Sequence, residues 1–204
     1  MKEKAKIAVF VSGGGTNLQA LIDAQKSGII SSGEIVLVVS NVGDAYALER
    51  AKMNGIDTFF ADRSGYDSRS EFEAAIVKCL EDHQVDMIVL AGFLCILSAD
   101  FTDRYDHRII NVHPSLIPSF CGDGFYGLKV HEAALAKGVK VTGATVHYVN
   151  SVTDGGEIIY QKAVEVMDGD TPEILQRRVM EQAEWIILPR ATETVCAKIL
   201  SERN

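Results

Sequence analysis

Ile109-Ile110-Asn111-Val112-His113-Pro114-Ser115-Leu116-Ile117-Pro118 interleaves apolar residues with two hydrogen-bonding side chains and then meets two prolines. Such a run reads as a buried strand that delivers polar groups at its carboxyl end. Side chains two apart on a strand share a face, so the Asn111 amide and the His113 imidazole should project into one site. Pro114 and Pro118 stop the strand, because proline brings no N–H to the ladder and holds the residue before it extended.

Working outward, residues 87–91 are wholly apolar, as in a strand covered on both faces. Residues 92–97 leave it as an apolar turn, and Ser98 caps a short helix that ends near Tyr105. Residues 6–11 form another apolar run, followed by Ser12-Gly13-Gly14-Gly15-Thr16-Asn17 and then by Leu18, Leu21 and Ile22 at helical spacing. Further strands fall at 35–39 and 58–61, with a helix over 45–54 that Gly55 closes. A long helix runs from Asp67-Ser68-Arg69 to about His83, with Phe72, Ala75, Ile76, Cys79 and Leu80 inward. Downstream, residues 119–127 read as a mobile loop beside the site, then comes a helix over 130–137. Residues 141–149 and 158–166 pair as antiparallel strands across a turn at 151–156. Thr171-Pro172 opens a last helix carrying Ile174, Leu175, Val179, Ala183 and Ile187 inward, kinked or divided at Pro189.

This order predicts an α/β fold: an open, doubly wound, mostly parallel sheet with helices on both faces and an antiparallel edge hairpin near the C-terminus. A chain of 204 residues, 47% hydrophobic, is expected to form one domain over 1–204. Ligands bind outside the carboxyl ends of the strands in such sheets, which gathers the glycine turn, residues 92–97 and His113 around one cleft.

With 20 Lys plus Arg against 28 Asp plus Glu, the net charge of −8 repels polyanions, so no nucleic-acid partner is expected. No secretory leader and no apolar run of membrane length is visible, and a cytoplasmic protein without membrane contact is expected. Cys79, Cys95, Cys121 and Cys196 are scattered and form no C-x-x-C pair, which argues for reduced thiols and no metal. Monomer and homodimer both stay open.

The glycine turn sits between a strand and a helix, where free N–H groups and the helix dipole converge on one point. As a dinucleotide fingerprint it fits badly, since its third glycine position falls on Leu18 and the strand at 35–39 ends in Ser40-Asn41 without an acidic residue. No lysine follows it, so it is not a Walker loop. A cradle for a single phosphate remains, beside the plainer reading of a turn that packs helix on strand.

Asn111 and His113, with Asp154 at the later turn, suit acyl transfer to an incoming nucleophile. An amide N–H and an imidazolium both donate to an oxygen that is becoming negative, and a carboxylate raises the imidazole pKa and passes protons. Ser115 lacks a nucleophile elbow, and Cys121 lacks any cue for activation. Taken singly, His113 reads as a core histidine and Asp154 as a turn residue.

Ser12-Gly13-Gly14-Gly15-Thr16-Asn17-Leu18-Gln19-Ala20, Leu90-Ala91-Gly92-Phe93, Asn111-Val112-His113-Pro114-Ser115-Leu116 and Asp154-Gly155-Gly156 together resemble the folate-dependent formyltransferase family, in order and over nearly the whole chain. The glycine turn and the length favour its glycinamide ribonucleotide branch. That resemblance implies transfer of a formyl group from 10-formyltetrahydrofolate, as co-substrate, to the amine of glycinamide ribonucleotide in purine synthesis, with no metal and no covalent enzyme intermediate. It implies that Asn111 and His113 stabilise the oxyanion and that Asp154 keeps His113 protonated and relays protons. Gly15, Thr16, Asn17 and Glu184 would hold the ribonucleotide. Arg69, Leu94, Cys95, Ile96, Leu97, Asn111, Asn150, Ser151, Val152, Thr153 and Asp154 would hold the folate. Cys95 stands where some members carry arginine, and Lys129 where some carry histidine. Within the family, a formyltetrahydrofolate deformylase is the alternative, handing the same group to water; it and the RNA-directed branch are expected to need further domains. A non-enzymatic nucleotide-binding module is the reading from a different class, and it leaves the triad without a joint purpose.

Overall fold

The computed structural model describes residues 3–203, so Met1, Lys2 and Asn204 of the expected domain lie outside the described residues. In chain order the elements are β1 (Ala5–Val11), α1 (Thr16–Ser27), β2 (Gly33–Ser40), α2 (Tyr46–Met53), β3 (Asp57–Phe60), α3 (Arg69–Asp82), β4 (Met87–Leu90), α4 (Ala99–Arg104), β5 (Ile109–His113), α5 (Leu128–Lys137), β6 (Val141–Tyr148), β7 (Ile158–Glu165), α6 (Pro172–Val179) and α7 (Trp185–Glu202). One sheet runs β3-β2-β1-β4-β5-β6-β7. It is parallel from β3 through β5 and antiparallel at β5–β6 and β6–β7. This is the predicted architecture, and it puts the carboxyl ends of β1, β4 and β5 side by side.

Both sheet faces are covered. In β1, Ala5, Ile7, Val9 and Val11 belong to one core and Ala8 and Phe10 to the other, the period-two split that a two-faced strand requires. The first core packs against α1, α2, α5, α6 and α7, and the second against α3 and α4. Ser68 and Ser98 cap α3 and α4, each accepting an N–H from three residues on. No helix among the described residues is long and apolar enough to cross a membrane.

Three sequence expectations are corrected. On α3, Ala75 and Cys79 are only half-buried, while the charged Glu73 is buried because it braces the turn after β4 through Arg69 and Ser98. Ile174 is 50% exposed: it lies in the first turn of α6, whose inward stripe is Leu175 and Val179. The last helix is interrupted upstream of Pro189, by a π turn at Met180–Glu184. Leu175, Val179, Ala183 and Ile187 recur every fourth residue and are all buried. At 3.6 residues per turn that spacing drifts off the core, and the wider π turn brings it back. Pro189 lies inside α7 without dividing it; its missing N–H would have bonded back to Trp185, the first residue of α7.

Candidate active site

β5 ends at the cleft with Asn111 and His113 two residues apart, and β6 runs antiparallel beside it. Asn111 stands opposite His147, and His113 opposite Thr145. The turn between β6 and β7 carries Asp154 into the same space, with its backbone left-handed at φ 54°. Asp154 Oδ2 lies 3.5 Å from His113 Nδ1, and Oδ1 lies 3.5 Å from His147 Nε2. The Gly122 N–H donates to Oδ2 at 2.8 Å, which ties the 119–127 loop to the carboxylate.

Partner chemistry fixes the protons. A carbonyl only accepts, so His147 Nδ1, 2.8 Å from the Tyr148 carbonyl, carries the proton. Nε2 then lies between the Asn111 amide, whose Nδ2 is 3.2 Å away, and Asp154. Where Nε2 accepts from Nδ2, the second amide proton of Asn111 is left for a ligand. By the same reasoning His113 Nε2 donates to the Phe120 carbonyl at 2.8 Å, leaving Nδ1 toward Asp154.

Burial pushes the His113 pKa down; the Phe120 carbonyl and the Asp154 charge offset this in part, and His147 adds to the depression. Loss of solvent thus works against the protonated His113 that the resemblance implies, and the Asp154 charge works for it. Asp154 moves down too: burial opposes ionisation, but His147, the Gly122 N–H and His113 together outweigh it. The pair rests as carboxylate beside imidazole.

In front of these groups lies a cavity of about 560 Å³, walled by the turn after β4, by residues 122–127 and by residues 150–154. Leu94, Cys95, Ile96 and Leu97 line it, as do Asn111, Asn150, Ser151, Val152, Thr153 and Asp154. Arg69 is not among the lining residues. Its Nη2 donates to the Ile96 carbonyl at 2.5 Å and its Nε to Glu73 at 3.1 Å, so it braces the wall from behind.

Gly15, Thr16, Asn17 and Glu184 form a second group, outside the lining of that cavity. Gly15 is left-handed at φ 72° and packs so closely on α2 that a Cβ would lie 2.7 Å from that of Ala47. Thr16 opens α1. Asn17 Nδ2 donates to Glu184 Oε2 at 2.7 Å, bringing the turn and the last helix together across the fold. Burial pushes the Glu184 carboxyl up to about 7, with Asn17 pulling the other way. Asn17 Oδ1 is buried with no partner among the described residues.

Two histidines with no role read from sequence belong to this region. His147 orients Asn111; the signal was its position in a strand, but it needed the β5–β6 register to be read. His131 on α5 is fully buried, neither ring nitrogen has a partner among the described residues, and burial together with nearby His113 lowers its pKa to about 4. No cluster of three or more His, Cys, Asp or Glu able to hold a metal ion occurs among the described residues.

Comparison with known proteins places this geometry among relatives. Residues 5–192 match the family model described as formyl transferase. The chain is 46% identical over 194 residues to the trifunctional purine biosynthetic protein adenosine-3 of Gallus gallus, covering 95% of this chain but only 19% of that protein. It is 40% identical over 180 residues to the phosphoribosylglycinamide formyltransferase of Escherichia coli (strain K12), covering 88% of this chain and 82% of the relative. The crystal structure of glycinamide ribonucleotide transformylase 1 from Symbiobacterium toebii superposes with a TM-score of 0.89 at 40% identity, over 97% of this chain and 90% of the other.

Proposed function

This chain belongs to the formyl transferase family, and on that footing we propose that it moves the formyl group of 10-formyltetrahydrofolate to the amine of glycinamide ribonucleotide, a step of purine biosynthesis. The observation that carries the reading is the convergence of Asn111, His113 and Asp154 on one side of a cavity large enough for a flat, partly apolar donor. Relatives named for this activity support it.

The donor occupies the cavity, with its formyl group against Asn111. The ribonucleotide lies over the glycine turn, where the Gly13 and Gly14 carbonyls are tied back to α2 and the N–H groups at the start of α1 meet the phosphate. Asn17 and Glu184 hold its sugar end. The amine nitrogen attacks the formyl carbon, and the carbonyl electron pair moves onto oxygen, where the free Asn111 amide proton meets it. His113 supplies a second N–H once its ring exchanges the Phe120 carbonyl for the oxyanion. The amine gives up one proton, through water, to Asp154. As the carbon–nitrogen bond to the folate breaks, that proton passes to the departing nitrogen, so nothing is oxidised and no group stays on the protein.

A spectrophotometric assay with 10-formyltetrahydrofolate, with and without glycinamide ribonucleotide, tests this. Ribonucleotide-dependent release of the deformylated folate is expected, lost in Asp154→Asn and reduced on the order of 10²-fold to 10³-fold in Asn111→Ala. The Asn111→Ala protein should still be protected by the ribonucleotide against thermal unfolding. Release without ribonucleotide would make the protein a hydrolase instead. No release in either condition would reject formyl transfer.

A further inference from the structure

We propose that Ser12 is a positioning residue that couples the two substrate sites, so that filling the glycine turn tightens binding in the donor cavity and the reverse. The inference rests on the function proposed above. β1 and β4 are neighbours, yet from β1 the chain crosses to β2 on one side and β4 extends the sheet to the other. Their carboxyl ends therefore flank the crevice where doubly wound sheets take ligands. Ser12 follows β1 as the first residue of the glycine turn, and Leu94 follows β4 in the wall of the cavity. The Ser12 hydroxyl accepts the Leu94 N–H at 2.9 Å and donates to Asn41 Oδ1 at 2.6 Å. A hydroxyl has one proton, and with that proton on Asn41 a lone pair is turned to Leu94. One oxygen joins the segments that leave β1, β2 and β4.

The backbone of the cavity turn is held at three points. Ser12 takes the Leu94 N–H, Arg69 donates to the Ile96 carbonyl, and Glu73 accepts both the Ser98 N–H at 2.8 Å and the Ser98 hydroxyl. Arg69 and Glu73 come from α3; Ser12 alone of the three is contiguous with the phosphate cradle. That cradle is braced on its other flank, where Arg50 Nε donates to the Gly14 carbonyl at 2.8 Å and the Ala47 N–H to the Gly13 carbonyl at 3.1 Å. A ligand that fixes the turn has a short, stiff path to Leu94, whose side chain is 64% exposed at the cavity. Coupling of this kind is reciprocal by thermodynamic necessity.

Tetrahydrofolate and glycinamide ribonucleotide, the spent donor and the unformylated acceptor, form a ternary complex with no formyl group to move. Calorimetric titration of tetrahydrofolate, with the ribonucleotide absent and then saturating, measures the coupling directly. In the unaltered protein the ribonucleotide should tighten tetrahydrofolate binding at least about fivefold. Ser12→Ala should bring that factor close to one, and Ser12→Thr, which keeps the hydroxyl, should restore it. A purely structural role would weaken the binary complexes and leave the factor unchanged. Asn41→Ala leaves the acceptor in place but releases its proton; it should lower the factor as well and serves the test if Ser12→Ala does not fold. Binding of both ligands without coupling in the unaltered protein, or the same factor in all variants, overturns the proposal while the proposed function stands. Failure of the two ligands to bind, singly or together, overturns both.

Discussion

The Tyr148 carbonyl takes the proton of His147 Nδ1, and this holds the ring so that Nε2 faces the Asn111 amide and Asp154. His147→Leu removes the acceptor and lets the amide turn, whereas His147→Gln keeps an acceptor near the same place. Losing one such bond costs about 1.4 kcal/mol, so His147→Leu should lower kcat on the order of tenfold with KM for the ribonucleotide unchanged, and His147→Gln should recover much of it. Steady-state kinetics on the two variants check this. At this scale the sequence was informative where spacing alone carries meaning. Asn111 and His113 share a face because they are two apart on a strand, and no further knowledge was needed. His147 meets Asn111 only through the β5–β6 register, and Glu73 is buried only because Arg69 and Ser98 come to it; neither relation is written in local periodicity.

Among the elements, the edge hairpin depends on one close approach. Gly143 on β6 pairs with Ala163 on β7, and a Cβ there would overlap the Lys162 carbonyl and lie 2.8 Å from Leu116 Cδ2. Gly143→Ala must push β7 away from β6 or Leu116 out of its place below the site, at a cost on the order of 3 kcal/mol. Urea denaturation should show that loss through a lower midpoint at unchanged slope. The succession of strands and helices along the chain was legible because apolar runs and glycine or serine punctuation alternate cleanly from Lys6 to Val166, whereas the order β3-β2-β1-β4-β5-β6-β7 across the sheet was not. The last helix was less so: Ile174 sits at helical spacing from Leu175's neighbours yet faces solvent, since a stripe with a four-residue repeat selects Leu175 and Val179 instead.

For the molecule as a whole, two buried groups give stability opposite dependences on pH. Glu184 holds its proton up to about 7 when folded, against an ordinary 4.5. Between those values the folded chain binds more protons than the unfolded one, so this group's contribution falls as pH rises from about 4.5 to 7 and is level beyond. His131 titrates at about 4 when folded, against 6.5. Here the unfolded chain binds more protons, so stability falls as pH is lowered from about 6.5 to 4. Each effect amounts to about 3 kcal/mol at its limit. Guanidinium denaturation from pH 4 to 8 should show Glu184→Gln gaining on the unaltered protein as pH rises through the window, and His131→Leu gaining as pH falls through it. Variants in which both differences stay flat would mean that these groups are solvated in the folded chain.

The π turn at Met180–Glu184 works as a leap day does in a calendar. A helix that keeps time at 3.6 residues per turn runs ahead of a core that asks for a residue every fourth place, and one wide turn absorbs the accumulated error. A single-residue deletion within that turn should therefore be absorbed: one residue fewer closes it to ordinary α geometry, and Ile187, Ala191 and Val195 stay on the core. The same deletion made further on, within α7, meets no wide turn and would swing everything after it by roughly a quarter turn about the helix axis.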